Sequence, residues 1–109
     1  MQMEVQQEYH NTIIETDGSR TIIISGEMIE GITSALKSET RREIIKILRK
    51  EPMDVSRLAQ ALNQTEANIS AQIQQLQKIG LVKSRYEPGE HGVRKICEVQ
   101  VDRIVIELD

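Results

Sequence analysis

Three carboxamide side chains, Asn68, Gln72 and Gln75, recur at helical spacing. An amide sets an acceptor beside donors, so it can bond bidentately to the N6 and N7 edge of adenine in a DNA major groove. The same residues also suit a plain solvated face, since glutamine is a good helix former. Basic side chains gather on either side. Arg41, Arg42, Lys46, Arg49 and Lys50 crowd one stretch, Arg57 follows, and Lys83, Arg85, Arg94 and Lys95 flank a turn-rich tip that holds His91. Such cations can hold phosphate, or pair with Glu39 and Glu43 at helical spacing. Covalent chemistry has little to work with. The only imidazoles are His10 and His91, both in loop-like segments, so acid–base catalysis lacks a pair. There is no Ser-His-Asp set, no glycine-rich phosphate loop and no HExxH, so an enzyme is not expected.

With 109 residues there is room for one domain, 1–109, around one core. No apolar run is long enough to span a membrane, and the start, MQMEVQQEYH, lacks the features of a signal peptide. Cys97 is the only cysteine, so no disulfide can form within the chain, and a reducing cytoplasm is the expected home. The net charge of −3 hides an uneven distribution. Residues 1–36 hold one basic and six acidic side chains, residues 37–95 twelve and seven, residues 96–109 one and four. The positive part is therefore the middle, which favours phosphate there and solvent or a partner at the ends.

The elements that must position these groups follow from periodicity. Thr12–Thr16 and Thr21–Ser25 are β-rich runs about Asp17-Gly18, a hairpin signal; the tip, Thr16 to Arg20, reads as a loop of two residues or longer. Met28, Ile29, Ile32, Ala35 and Leu36 step at helical spacing. A second helix is predicted over 39–50, with Ile44, Ile45, Ile47 and Leu48 inward, Ser38 or Thr40 as cap, and an end forced by Pro52. A third runs over 55–62, capped by Asp54 or Ser56. After the turn Asn63-Gln64, Thr65 caps a fourth over 66–79 whose inward face is Ile69, Ile73, Leu76 and Ile79, and Gly80 stops it. Leu81–Glu87 and Val93–Val99 read as strands joined by Pro88 to Gly92, with Tyr86 stacking at the base of the wing or, the preferred reading, plugging the core, and Cys97 packed in the strand. Arg103–Leu108 alternates as one more strand.

The pieces ALKSETRREIIKILRKEP, VSRLAQAL, TEANISAQIQQLQKIGLVKSRYEPG and GVRKI, in that order, resemble the ArsR-like winged helix-turn-helix transcription regulators, archaeal ones especially. The resemblance covers Ala35 to Lys95. It implies an α+β winged helix, with a core module over 35–99 to which the N-terminal hairpin (12–25) and the C-terminal strand (103–108) are additions. It also implies that the helix after Thr65 reads the major groove through Thr65, Glu66, Asn68, Ser70, Ala71, Gln72 and Gln75. Backbone contacts fall to Arg41, Arg42 and Arg57, and wing contacts to Lys83, Arg85, His91, Arg94 and Lys95. The chain departs from the family where relatives often carry arginine (Ala71), histidine (Gln72) and a neutral residue (Glu66), which takes charge off the reading helix. Classical metal sensors of the family hold a Cys-x-Cys cluster or ligands at the termini. With only Cys97, His10 and His91 available, no metal or other cofactor is expected.

The function so implied is a sequence-specific double-stranded DNA-binding regulator, a repressor by family resemblance. A homodimer is expected through the apolar Met28, Ile29, Ile32 and Leu36 together with Ile104 and Ile106, setting two reading helices about one DNA turn apart. Two other classes fit the same residues: a protein-interaction winged helix, and an architectural protein that binds DNA without regard to sequence.

Overall fold

The computed structural model describes residues 13–108. Thr12, Tyr9 and His10 lie outside the described residues. The chain opens with strands β1 (Ile13–Thr16) and β2 (Ser19–Ile24), antiparallel, with Thr16 opposite Ser19. Their connection is the two residues Asp17 and Gly18, at φ 53° and 77°. Positive φ at both central positions is the turn whose twist matches a hairpin, and Asp-Gly takes it at low cost. The longer loop also considered is thereby ruled out.

Helix α1 (Glu27–Leu36) buries Ile32 and Ala35. Helix α2 (Glu39–Lys50) starts at Ser38, whose hydroxyl accepts from the Arg41 N–H at 3.2 Å. Ser38, not Thr40, is thus the cap. The helix ends as Glu51 turns extended, φ −166° and ψ 130°, which the following Pro52 requires. A short strand, β3 (Met53–Asp54), comes next and was not foreseen. Two residues carry no periodicity, and only their pairing partner reveals them. Asp54 then caps α3 (Val55–Leu62), accepting from Arg57 N at 2.8 Å.

The wing is the antiparallel pair β4 (Val82–Gly89) and β5 (Gly92–Val99), with β3 on the far side of β5. Pairing continues to Gly89 opposite Gly92, so only Glu90 and His91 form the tip. The five-residue loop over 88–92 is corrected accordingly. Tyr86 is also corrected. It is 68% exposed, because it faces across from Lys95 beyond the last core rung, Ser84 opposite Cys97.

Strand β6 (Arg103–Ile106) runs parallel to β2, giving a second sheet in the order β1-β2-β6. The two terminal additions therefore pair with each other. The core between this sheet and the helices is mostly aliphatic: Ile22, Ile24, Ile32, Ile44, Leu58, Ile69, Ile73 and Leu76 are all buried. Burying one such side chain is worth about 1.5–3 kcal/mol.

Candidate nucleic-acid interface

Helix α3 and helix α4 (Glu66–Lys78) meet across a tight turn. Asn63 takes the left-handed conformation, φ 55°, and the Gln64 N–H bonds back to Ala59 O at 2.9 Å. Thr65 then caps α4, its hydroxyl accepting from Asn68 N at 3.0 Å. Ile69, Ile73 and Leu76 pin one face of α4 to the core. That fixes what the other face presents. Thr65, Glu66, Ala71 and Gln75 are exposed, while Asn68, Ser70 and Gln72 are half-buried. Ala67 and Gln74 are exposed as well and were not singled out from the sequence.

The amides on this face are not independent. Gln72 Oε1 accepts from Arg41 Nη1 at 2.7 Å, Gln72 Nε2 donates to Asn68 Oδ1 at 3.1 Å, and Asn68 Nδ2 donates to Gln64 Oε1 at 2.8 Å. Gln75 takes no part in this chain and lies open to solvent.

The arginines expected on phosphate do other work. Arg41 Nε and Nη2 donate to Ala35 O and Ser34 O at 2.8 and 3.2 Å. Arg42 Nη1 donates to Leu36 O and Lys37 O at 2.6 and 2.9 Å. Both satisfy the orphan carbonyls at the end of α1, where positive charge also suits the helix dipole. Arg57 is exposed and pairs with Glu51 at 3.5 Å.

The register of the wing sorts its charges by face. Lys83, Arg85 and Arg94 share one face with Glu87 and Glu98. There Arg85 pairs with Glu87 and with Glu98, and Arg94 with Asp54 at 3.5 Å. The hydrogen bond that Arg85 donates to Glu87 is the main cause that holds its guanidinium above its ordinary pKa. On the opposite face, Tyr86 and Lys95 stand side by side, with Val93 72% exposed nearer the tip. This is the α4 side of the wing, since Ser84 on the same face donates its hydroxyl to Gln77 Oε1 at 3.0 Å. Sequence reasoning preferred the core for Tyr86 over the base of the wing, and the residue is on the surface. The alternation Ser84, Tyr86, Pro88 was the available signal, but the height at which the core ends was not. His91 is fully solvent-facing at the tip.

Cys97 is buried, and that burial pushes its thiol pKa up. A protonated, enclosed thiol is a poor metal ligand. Among the described residues no group of three His, Cys, Asp or Glu side chains converges on a metal-sized space. Nor, among them, is any helix long and apolar enough to cross a membrane.

Of the residues expected at a dimer contact, Ile32 is wholly enclosed within its own chain. It has no surface to offer, and its place in that contact is corrected. Met28, Ile29, Leu36 and Ile104 are half-buried against the core, and Ile106 is 41% exposed.

Two helices joined by a tight turn, the second braced against a β-hairpin, define a winged helix-turn-helix domain. Residues 38–84 match the family described as bacterial regulatory protein, arsR family. The module is thus similar to the arsR-family helix-turn-helix, a class of non-enzymatic domain found in transcription regulators. One similar solved structure, from Mycobacterium bovis, is described as the homodimeric winged helix-turn-helix DNA-binding domain of a possible ArsR-family regulator. It is 25% identical with a TM-score of 0.59, and the match covers 67% of this chain but only 64% of that one. A crystal structure described as an ArsR family transcriptional regulator is 28% identical over 68% of this chain and 77% of its own, with a TM-score of 0.57. A Methanosarcina mazei protein described as a possible transcriptional regulator shares 14% identity over 84% of this chain and 77% of its own, TM-score 0.55, which speaks to the fold alone. No curated protein sequence matches the chain.

Proposed function

We propose that the chain binds double-stranded DNA selectively and represses transcription by occupying its site as a homodimer. The observation that carries this reading is α4 itself. It presents an amide-rich face, charged only at Glu66 in its first turn, beside a wing whose α4 side holds Tyr86 and Lys95. Amides read base edges; they contribute little to phosphate attraction. Asn68, Gln72 and Gln75 would read bases, with Thr65, Ser70 and Ala71 lining the approach. Lys95 and Lys83 would meet phosphate, with Arg57, Arg85 and Arg94 joining once their acidic partners yield. The heavy pairing of wing cations with carboxylates argues against the architectural alternative, which depends on free positive charge.

Dimerisation is supported by the relative described as homodimeric and by the outer face of the β1-β2-β6 sheet. Ile14, Ile23 and Val105 are 43%, 38% and 38% exposed there, and Ile23 lies directly opposite Val105. Such an apolar face suits a second copy better than water. A regulator of this kind would act in the cytoplasm, where its DNA is.

Binding of the purified protein to duplex from its own upstream region, against random duplex at two salt concentrations, tests the proposal. Selective binding that persists at the higher salt is expected. Equal binding to both duplexes that collapses with salt would replace it with the architectural role. No binding at low salt would put the protein-interaction role in its place.

A further inference from the structure

We propose that Arg41 is a positioning residue that fixes the direction in which the Gln72 and Asn68 amides point, and so sets the base preference of α4. The inference rests on the DNA-binding reading above and deepens it.

The argument starts from what each group can do. A guanidinium only donates hydrogen bonds, a main-chain carbonyl only accepts them, and a carboxamide does either, depending on which way round it lies. Arg41 is held from behind by Ala35 O and Ser34 O. Its Nη1 faces the Gln72 amide at 2.7 Å. The atom it meets must be the oxygen, because the nitrogen there would set donor against donor. With Oε1 turned to Arg41, Gln72 has its N–H groups left for Asn68, 3.1 Å away. Asn68 must therefore present its own oxygen to Gln72 and its nitrogen to Gln64, at 2.8 Å. One donor-only group from α2, seated against the end of α1, thus orders two amides on α4.

The order has a consequence at the DNA. Asn68 keeps one lone pair on Oδ1 and one hydrogen on Nδ2 beyond those used in the chain. The free acceptor lies toward Gln72, the free donor toward Gln64. An adenine edge whose N6 and N7 approach in the matching order makes both bonds. In the reverse order it meets donor with donor and acceptor with acceptor. An isolated asparagine would turn over and accept both; one whose neighbours are already committed cannot do so without breaking the chain.

Selection from a library of random-sequence duplexes tests this, with the base preference at each position and the salt dependence both read out. Arg41→Gln replaces the donor-only group by one that lies either way. Its preference at the base pairs read by Gln72 and Asn68 is expected to fall about tenfold, in line with the worth of a bidentate amide contact, while the salt dependence stays as in the wild type. Arg41→Lys, still donor-only, is expected to keep most of the preference. If Arg41→Gln weakens every duplex equally and flattens the salt dependence, Arg41 is a phosphate ligand and the inference is wrong. Arg41→Gln also removes bonds to α1, so Gln72→Ala is the companion variant, since it leaves those bonds in place. It is expected to cost preference at two base pairs, its own and that of the unchanged Asn68. Loss at only one would overturn the inference. A wild-type protein that selects no sequence at all would be a separate result: the DNA-reading function itself fails, and the positioning role goes with it.

Discussion

Arg20 and Asp102, 82 residues apart, hold each other through both backbone and side chain. The Asp102 carboxylate accepts from Arg20 N at 2.8 Å, Nε at 3.2 Å and Nη2 at 3.3 Å, and Asp102 N donates back to Arg20 O at 2.7 Å. Arg20 Nη1 also reaches Val99 O at 3.1 Å, at the foot of the wing. The clasp ties the terminal sheet to the winged module.

The clasp has a pH signature. Hydrogen bonds from the Arg20 side chain, then from its backbone N–H, hold the Asp102 carboxyl below the usual carboxylate range. A group with a depressed folded pKa adds stability that is present above its unfolded pKa, about 3.9 for aspartate, and is lost as pH falls through the folded value. Melting of the wild type and Asp102→Asn should therefore differ at neutral pH. The gap should close as the pH drops below the ordinary aspartate range. A constant gap would assign the effect to packing.

Thr65 has a measurable structural role, because its hydroxyl is engaged by Asn68 N at the start of α4. Thr65→Ala should cost about 1 kcal/mol in denaturant unfolding, the usual worth of a helix cap. Thr65→Ser should restore most of it. If instead the alanine variant is as stable as the wild type, the hydroxyl is free for DNA.

Base reading and phosphate holding should separate cleanly on α4 and the wing. Gln75→Ala should cost about 1–3 kcal/mol of discrimination at one base pair and leave the salt dependence intact. Lys95→Ala should weaken all duplexes alike and reduce the salt slope by about 1. Titrations at several salt concentrations distinguish the two patterns.

The dimer surface proposed above can be tested without touching α4. Ile23 and Val105 face outward on adjacent strands, each 38% exposed. Ile23→Lys should shift the sedimentation profile to monomer and raise the protein concentration needed for half-saturation of DNA about tenfold or more, as expected when two half-sites bind independently. A dimer that survives the change would move the interface elsewhere.

Cys97 should resist thiol reagents in the native state, since it is enclosed and its pKa is raised by burial. Absorbance-monitored labelling should proceed only as fast as unfolding, and denaturant should release it.

The sequence by itself determined the local elements. Thr65 and Gly80 mark where α4 begins and ends because capping and left-handed turns are chemistry of single residues, while the caps of α2 and α3 were narrowed to two candidates each. The inward stripe of α4 was equally plain, since Ile69, Ile73 and Leu76 obey the helical period. Tertiary structure decided what periodicity cannot carry. β3 exists only because β5 lies beside it, and the parallel pairing of β2 with β6 joins distant segments. Ile32 looks like any other residue on an apolar stripe, but its depth in the fold removed it from the surface, while Tyr86 was left outside. Arg41 shows the same limit most clearly. Its charge invites phosphate in the sequence, and the packing of α2 against α1 and α4 turns that charge onto two carbonyls and an amide. A side chain's donors go to whichever acceptors the fold brings within reach, and that is set by contacts between elements rather than by the order of residues within one.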